Sequence, residues 1–263
     1  MHIHSDISDG SDGIDLIVDM AKDKGLDAIV ITDHDTLEHM SQVPDDAGIL
    51  VGAGVEISAI HRGEMIQAHI LGYNIKTPEI VTAVTQPLLE ARNLNSEKQA
   101  QILISHGFNI NMDKLSRAAG KYLYKQHILD WLVSTGQITE MFGEFYKTTF
   151  KNGGICDFSI EYVEAVVSVT AIKDAGGLAV LAHPGQQQNF HIISELVSAG
   201  LDGLELHHHS HSESDRDIIR QYAHEYGLFL AGGSDYHGRF ESRAVGIGDI
   251  LSENSGASVV FAT

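Results

Sequence analysis

The feature that most constrains this chain is an alternation of short apolar runs with segments of helical spacing. Ala28-Ile29-Val30-Ile31, Ile49-Leu50-Val51, Met65-Ile66 through Ile70-Leu71, Leu178-Ala179-Val180-Leu181, Leu204-Glu205-Leu206 and Leu228-Phe229-Leu230 read as strands, and Ile3 begins a seventh. Helices are predicted from Ile14 to a stop at Gly25, and then over Tyr162 to Ala175, Phe190 to Ala199 and Ser214 to Tyr226. Strands alternating with helices predict an α/β fold with a mainly parallel sheet. The stretch from Thr77 to Asp157 breaks this rhythm. It carries no clear strand run and reads as helices over Val84 to Ile104, Tyr122 to Val133 and Thr139 to Phe145. The expected organisation is therefore a discontinuous main domain, residues 1–76 and 158–263, with residues 77–157 inserted as a helical cap. A chain of 263 residues with 43% hydrophobic content can bury a core of that size.

The chemistry sits where the apolar runs stop. His2 and His4, two apart on the first strand, point to one side, and Asp9 follows in Ser8-Asp9-Gly10. After the second strand comes Thr32-Asp33-His34-Asp35-Thr36, and after the third Gly54-Val55-Glu56-Ile57-Ser58. The fourth carries His69, the fifth ends in Ala182-His183-Pro184, and the sixth runs into His207-His208-His209-Ser210-His211. The seventh ends in Gly233-Ser234-Asp235-Tyr236-His237. A lone histidine is usually a surface or satisfied core group. Strands that repeatedly deliver His, Asp or Glu to one edge are a different matter, since that edge is where α/β barrels build active sites. Imidazoles mixed with carboxylates suit zinc, manganese or iron. Buried carboxylates without a cation are too costly to cluster.

Other chemistries lack their motifs. There is no Gly-x-x-x-x-Gly-Lys-Ser/Thr loop, no Gly-x-Gly-x-x-Gly after a strand and no Gly-x-Ser-x-Gly elbow. Cys156, the one cysteine, has nothing nearby marking it as a nucleophile. No disulfide can form within the chain, no apolar run is long enough for a membrane helix, and the N-terminus lacks signal-peptide character, so a cytoplasmic location is expected. A net charge of −19 disfavours extended nucleic acid as a partner. It would repel any phosphate unless bound cations reverse the charge locally.

These motifs, in this order, resemble the PHP (polymerase and histidinol phosphatase) family of the amidohydrolase-like hydrolases. The resemblance rests on His2-x-His4-Ser5 with Ser8-Asp9-Gly10, Ile31-Thr32-Asp33-His34-Asp35-Thr36, Gly54-Val55-Glu56-Ile57-Ser58, Ala68-His69-Ile70-Leu71-Gly72-Tyr73, Ala182-His183-Pro184-Gly185 and Gly233-Ser234-Asp235-Tyr236-His237-Gly238. It implies a distorted (β/α)7 TIM-like barrel binding two to three divalent ions (Mn, Fe or Zn). One ion would use His2, His4, Glu56 and Asp235. A second would share Glu56 and add His69 and His183, and a third would use Asp9, His34 and His237. Met1 stands where the family usually has aspartate. In the small-molecule branch the insertion supplies phosphate contacts, which here correspond to Tyr124-Lys125-Gln126-His127. Lys125 replaces the more usual arginine and loses its bidentate fork.

The resemblance also marks His211 as a substrate-binding histidine able to protonate a leaving group. Asp33 is expected to orient His34. The expected activity is hydrolysis of a small phosphorylated metabolite, a nucleotide bisphosphate or sugar phosphate, by a metal-bridging hydroxide. The alternative is a phosphodiesterase acting on a cyclic phosphate or on short oligonucleotide 5′ ends. A metal-binding module without turnover is disfavoured because no ligand position is lost.

Overall fold

The computed structural model describes residues 1–240 and 245–262. Helix α1 (Ile14–Asp23) precedes strands β1 (Ala28–Ile31), β2 (Leu50–Ile57), β3 (Ala59–His61), β4 (Ile66–Gln67) and β5 (Ile70–Tyr73). Four helices follow with no strand between them: α2 (Pro78–Ser105), α3 (Met112–Ala119), α4 (Lys125–Ser134) and α5 (Glu144–Thr149). The chain then runs through β6 (Val163–Glu164), α6 (Ala165–Asp174), β7 (Leu178–Leu181), α7 (Pro184–Gln187), α8 (Ile193–Ser198), β8 (Gly203–His207), α9 (Glu213–Tyr226), β9 (Phe229–Gly232) and α10 (Asn254–Val260).

The main sheet has the order β1-β2-β5-β7-β8-β9. Residues 2–4 close it. On one side the Asp235 N–H donates to the His2 carbonyl at 3.0 Å and the His4 N–H to the Tyr236 carbonyl at 2.8 Å. On the other, the Thr32 N–H donates to the Ile3 carbonyl at 2.8 Å. This N-terminal segment is the seventh stave of a distorted TIM-like barrel. Neighbours run parallel except at β5, which is antiparallel to both β2 and β7. A second small sheet, β4-β3-β6, flanks it.

Burial explains the elements. In α1, Ile14, Ile17, Val18 and Ala21 fall on one stripe and are all buried. The strands of the main sheet are buried along much of their length, most completely in β5 and the C-terminal half of β2, hence their nearly unbroken apolar sequences. Several predicted boundaries shift for local reasons. The third strand extends from Leu50 to Ile57, so Glu56 lies within it. The run from Met65 to Leu71 divides into β4 and β5, which belong to different sheets. Helix α2 starts at Pro78, where the missing N–H costs nothing, and continues through Pro87. Helix α4 starts at Lys125 instead of Tyr122, because the Tyr124 N–H is capped by His127 Nδ1 at 3.0 Å.

The main apolar core joins strand residues such as Val55, Ile70 and Leu204 to α6 and α8, and includes Val81 from the first half of α2. A separate apolar cluster is drawn wholly from residues 100–156, including Leu103, Leu115, Leu129, Leu132 and Phe150. Cys156 is buried there, where burial pushes its thiol up to about 11. No helix among the described residues is long and apolar enough to cross a membrane.

Candidate metal centre

At the strand ends the barrel opens into a basin of about 300 Å³ lined by Asp9, His34, Glu56, His69, His183, Asp235 and His237. His2 and His4 form its floor, both completely buried. Most of these groups leave the C-terminal ends of parallel strands. His69 does not: it immediately precedes β5. Because β5 runs backwards, its beginning lies at the same rim.

Glu56 is the hub. Its Oε2 lies 3.2 Å from His2 Nε2, 3.1 Å from His4 Nε2 and 3.4 Å from His34 Nε2. Its Oε1 lies 2.9 Å from His69 Nδ1 and 3.0 Å from His183 Nε2. Each oxygen thus faces its own group of imidazoles. Asp235 Oδ1 is 3.2 Å from both His2 Nε2 and His4 Nε2. At the outer side Asp9 meets His237 Nε2 at 3.4 Å and His34 Nε2 at 3.9 Å.

The donor atoms fit a cation. His2 Nε2, His4 Nε2 and Asp235 Oδ1 are buried with no hydrogen-bond partner. Ligands at ~2.1 Å around a tetrahedral ion stand about 3.4 Å apart, close to these separations. On His2, His237 and His34 the opposite ring nitrogen is held by the protein. His2 Nδ1 bonds Glu205 Oε1 at 3.0 Å, and Glu205 Oε2 accepts the His183 N–H at 2.9 Å. His237 Nδ1 donates to the Asp235 carbonyl at 2.9 Å, and His34 Nδ1 lies 3.2 Å from Ser58 Oγ. Such partners fix the tautomer and aim the free nitrogen inward.

Electrostatics agree. Burial opposes charge on His2, yet Asp235, Glu205 and Glu56 lift its imidazole to about 10. Burial and the neighbouring His237 oppose charge on His4, and Asp235 and Glu56 still raise it to about 9. Burial works against the Glu56 and Asp235 carboxylates too, but the surrounding imidazoles hold both well below the usual range. Without a cation, protons on these rings do the neutralising. His34 differs: burial drives it down to about 4.

The backbone is bent to serve this arrangement. Asp235 and His183 take positive φ, 50° and 28°, conformations that non-glycine residues hold at a cost of ~1–3 kcal/mol. The turn carrying Asp9 folds onto the first strand because Gly10 lacks a Cβ, which would overlap the His4 carbonyl. Asp33 fastens the same turn: it accepts from the Ser5 N–H at 2.7 Å, from Ser5 Oγ at 2.7 Å and from Ser8 Oγ at 2.6 Å. The expectation that Asp33 orients His34 is corrected by this geometry; Ser58 holds that ring.

All nine candidate ligands thus converge. The three candidate substrate contacts behave differently. Lys125 lines an adjoining cavity, while Gln126 faces the basin and donates to Asp9 Oδ2 at 2.6 Å. His127 is used in capping α4, with its ring edge-on to Phe240. His211 has both ring nitrogens engaged, Nδ1 donating to the Leu206 carbonyl at 2.9 Å and Nε2 accepting the Gly185 N–H at 3.2 Å.

Glu205 escaped the sequence reading, and His208 stood in it only as an unassigned member of the histidine run after the sixth strand. Glu205 looked like part of a strand, although a carboxylate between buried leucines was a signal. His208 accepts the Ser210 N–H on Nδ1 at 3.2 Å, which leaves its Nε2–H to donate to Asp235 Oδ2 at 3.2 Å. It holds the Asp235 oxygen that does not face His2.

The family model for the PHP domain matches residues 1–243. The chain belongs to the PHP family. It is 36% identical over 247 residues to the phosphoribosyl 1,2-cyclic phosphate 1,2-diphosphodiesterase of Eggerthella lenta, covering 91% of this chain and 94% of the relative. It is 26% identical to the 5′-3′ exoribonuclease of Haemophilus influenzae (90% and 89% covered). It is 28% identical to the 3′,5′-nucleoside bisphosphate phosphatase of Chromobacterium violaceum (90% and 86% covered). Among solved structures, a metal-dependent phosphoesterase of Bifidobacterium adolescentis superposes with a TM-score of 0.88 at 24% identity, covering 99% of this chain and 94% of that one, and shares the fold. This PHP protein is accordingly a metal-dependent phosphoesterase.

Proposed function

We propose that this PHP phosphoesterase hydrolyses a small phosphorylated metabolite, a nucleotide bisphosphate or a sugar phosphate, on a centre of two to three divalent ions (Mn, Fe or Zn). The observation that carries this reading is the division of Glu56, one oxygen toward His2, His4 and His34 and the other toward His69 and His183. A carboxylate so placed suits bridging between two ions. In the proposed assignment His2, His4, Glu56 and Asp235 hold one ion, Glu56, His69 and His183 a second, and Asp9, His34 and His237 a third. Bound divalent ions would supply a nucleophile at neutral pH and neutralise the phosphoryl oxygens.

The chain's own groups do the rest. Glu205 and Ser58 aim the imidazoles, Asp33 and Gly10 hold the Asp9 turn, and Gln126 reaches in from above. His211 acts as a proton donor in this reading only if its ring leaves Leu206 and Gly185; as placed, it secures the turn after His183. The net charge of −19 favours a small substrate over extended nucleic acid. A cyclic or diester substrate is the second reading, favoured by the name of the Eggerthella lenta relative.

The test is phosphate release by Mn-loaded protein from a panel of bisphosphates, sugar phosphates and cyclic phosphates, with bis(p-nitrophenyl) phosphate compared against p-nitrophenyl phosphate. Turnover of bisphosphates or sugar phosphates and a strong monoester preference are expected. Asp235→Ala should strip metal and remove activity. Full metal content with wild-type turnover in that variant would refute the assignment.

A further inference from the structure

Neither the metal basin nor the groups that support it make use of His39. This residue comes from a short helical turn (Glu38–Gln42) after β1 and is completely buried. Its Nδ1 lies 3.1 Å from Asp33 Oδ2. Its Nε2 is buried with no hydrogen-bond partner among the described residues. An apolar side chain would fill the same space without removing two ring nitrogens from water. The contact with Asp33 is therefore the feature of this histidine that packing does not account for.

Asp33 is the clamp on the turn that carries Asp9, and it is itself completely buried. Its Oδ1 accepts from the Ser5 N–H and Ser8 Oγ, and its Oδ2 from Ser5 Oγ. These three donors all belong to the turn being fastened. They move with it, so they leave the carboxylate free to rotate together with the turn. His39 is the contact from outside. It comes back to Oδ2 through a loop in which Asp35 holds a positive φ of 61°. The turn delivers its load next to Ser8: Asp9 faces His237 Nε2 at 3.4 Å and His34 Nε2 at 3.9 Å. The inner ligands are secured elsewhere, His2 by Glu205 and Glu56 by its place within β2. Neither of their side chains bonds to the Asp33 carboxylate or to His39 among the described residues.

We propose that His39 is a positioning residue for the outermost ion: by pinning the Asp33 carboxylate from outside the turn, it holds Asp9 in place and sets the affinity of the ion assigned to Asp9, His34 and His237, while the other ions do not depend on it. The proposal rests on the ion assignment above and adds to it a residue that touches no ion.

The experiment counts Mn per chain by metal analysis while a chelator competes for it, in the wild type, Asp9→Ala, His39→Leu and His39→Asn. Asp9→Ala marks the outer ion and should hold one Mn fewer than the wild type. His39→Leu should hold that same ion ~10-fold more weakly, the lower end of the cost of losing a group that orients a metal ligand, since His39 acts through Asp33. The ions that remain in Asp9→Ala should keep wild-type affinity in His39→Leu. His39→Asn, whose amide nitrogen can stand close to the place of Nδ1, should recover most of the loss. His39→Met takes the place of the leucine variant if that protein does not fold. Wild-type affinity for the outer ion in the leucine or methionine variant would overturn the proposal. So would an equal weakening of every ion, which a loosened core produces, or an asparagine variant no better than the leucine one. If Asp9→Ala kept the full Mn content, the ion assignment would fail and the role of His39 with it. Loss of the ion in Asp9→Ala beside an unaffected His39→Leu would remove the role of His39 alone.

Discussion

Glu205 illustrates how a residue outside the basin sets what the basin can do. One of its oxygens holds the His2 ring and the other the His183 backbone, so a single buried carboxylate positions candidate ligands of two different ions. The shape-preserving change Glu205→Gln keeps the volume but turns one of those acceptors into a donor. It is expected to weaken Mn binding ~10–100-fold, read by competition with a chelator, while kcat at saturating metal changes far less. Wild-type affinity in that variant would show that His2 is aimed by packing alone. The positive φ of Asp235 belongs to the same scale: its side chain can face His2 and His4 only because the local backbone accepts strain.

Among the elements, β5 and α4 departed most from expectation. The rule that strands deliver chemistry from their C-terminal ends located Glu56, His183 and Asp235, and it would have misplaced His69. Strand direction depends on which neighbours a segment bonds, and short apolar runs do not encode that. In α4 the sequence Tyr124-Lys125-Gln126-His127 offered several polar groups, and helical geometry distributed them: one caps, one faces the basin and one enters the adjoining cavity. His127→Ala removes the acceptor for the Tyr124 N–H. A loss of ~1 kcal/mol in unfolding free energy is expected by chemical denaturation. Because Lys125 and Gln126 begin the same helix, KM should rise more than kcat falls; a variant with reduced kcat and unaltered KM would contradict this capping role.

For the whole molecule the dominant fact is compensation of charge. The described structure buries Glu56, Asp235, Asp9 and Glu205 together with a ring of imidazoles. In the metal-free chain His2 and His237 stand near 10 and His4 near 9, against about 6.5 when unfolded. Raised values mean that the stability they lend is full below about pH 6.5 and is lost as pH rises through 9 to 10. A divalent ion must displace those protons, so its binding tightens with pH and releases protons. The gain in Tm on adding Mn should therefore be larger at pH 8.5 than at pH 6, and calorimetry in buffers of different ionisation enthalpy should detect proton release. A Tm gain independent of pH would mean these rings are already neutral in the metal-free protein.

Taken alone, the amino-acid sequence determined the inventory and its rough address. The alternation of apolar runs and helices dictated the α/β class, and the His and carboxylate positions at the ends of those runs named the residues that meet. Linear spacing suffices for that, because strands of one barrel end at a common rim. Only the tertiary structure decided which atoms face inward. The reversal of β5, the split allegiance of the Glu56 oxygens, the hidden grip of Glu205 and the capture of both His211 nitrogens all depend on partners far away in the chain. Hydrogen-bond direction and strand pairing are set by those partners, and they appear only once the chain has closed on itself.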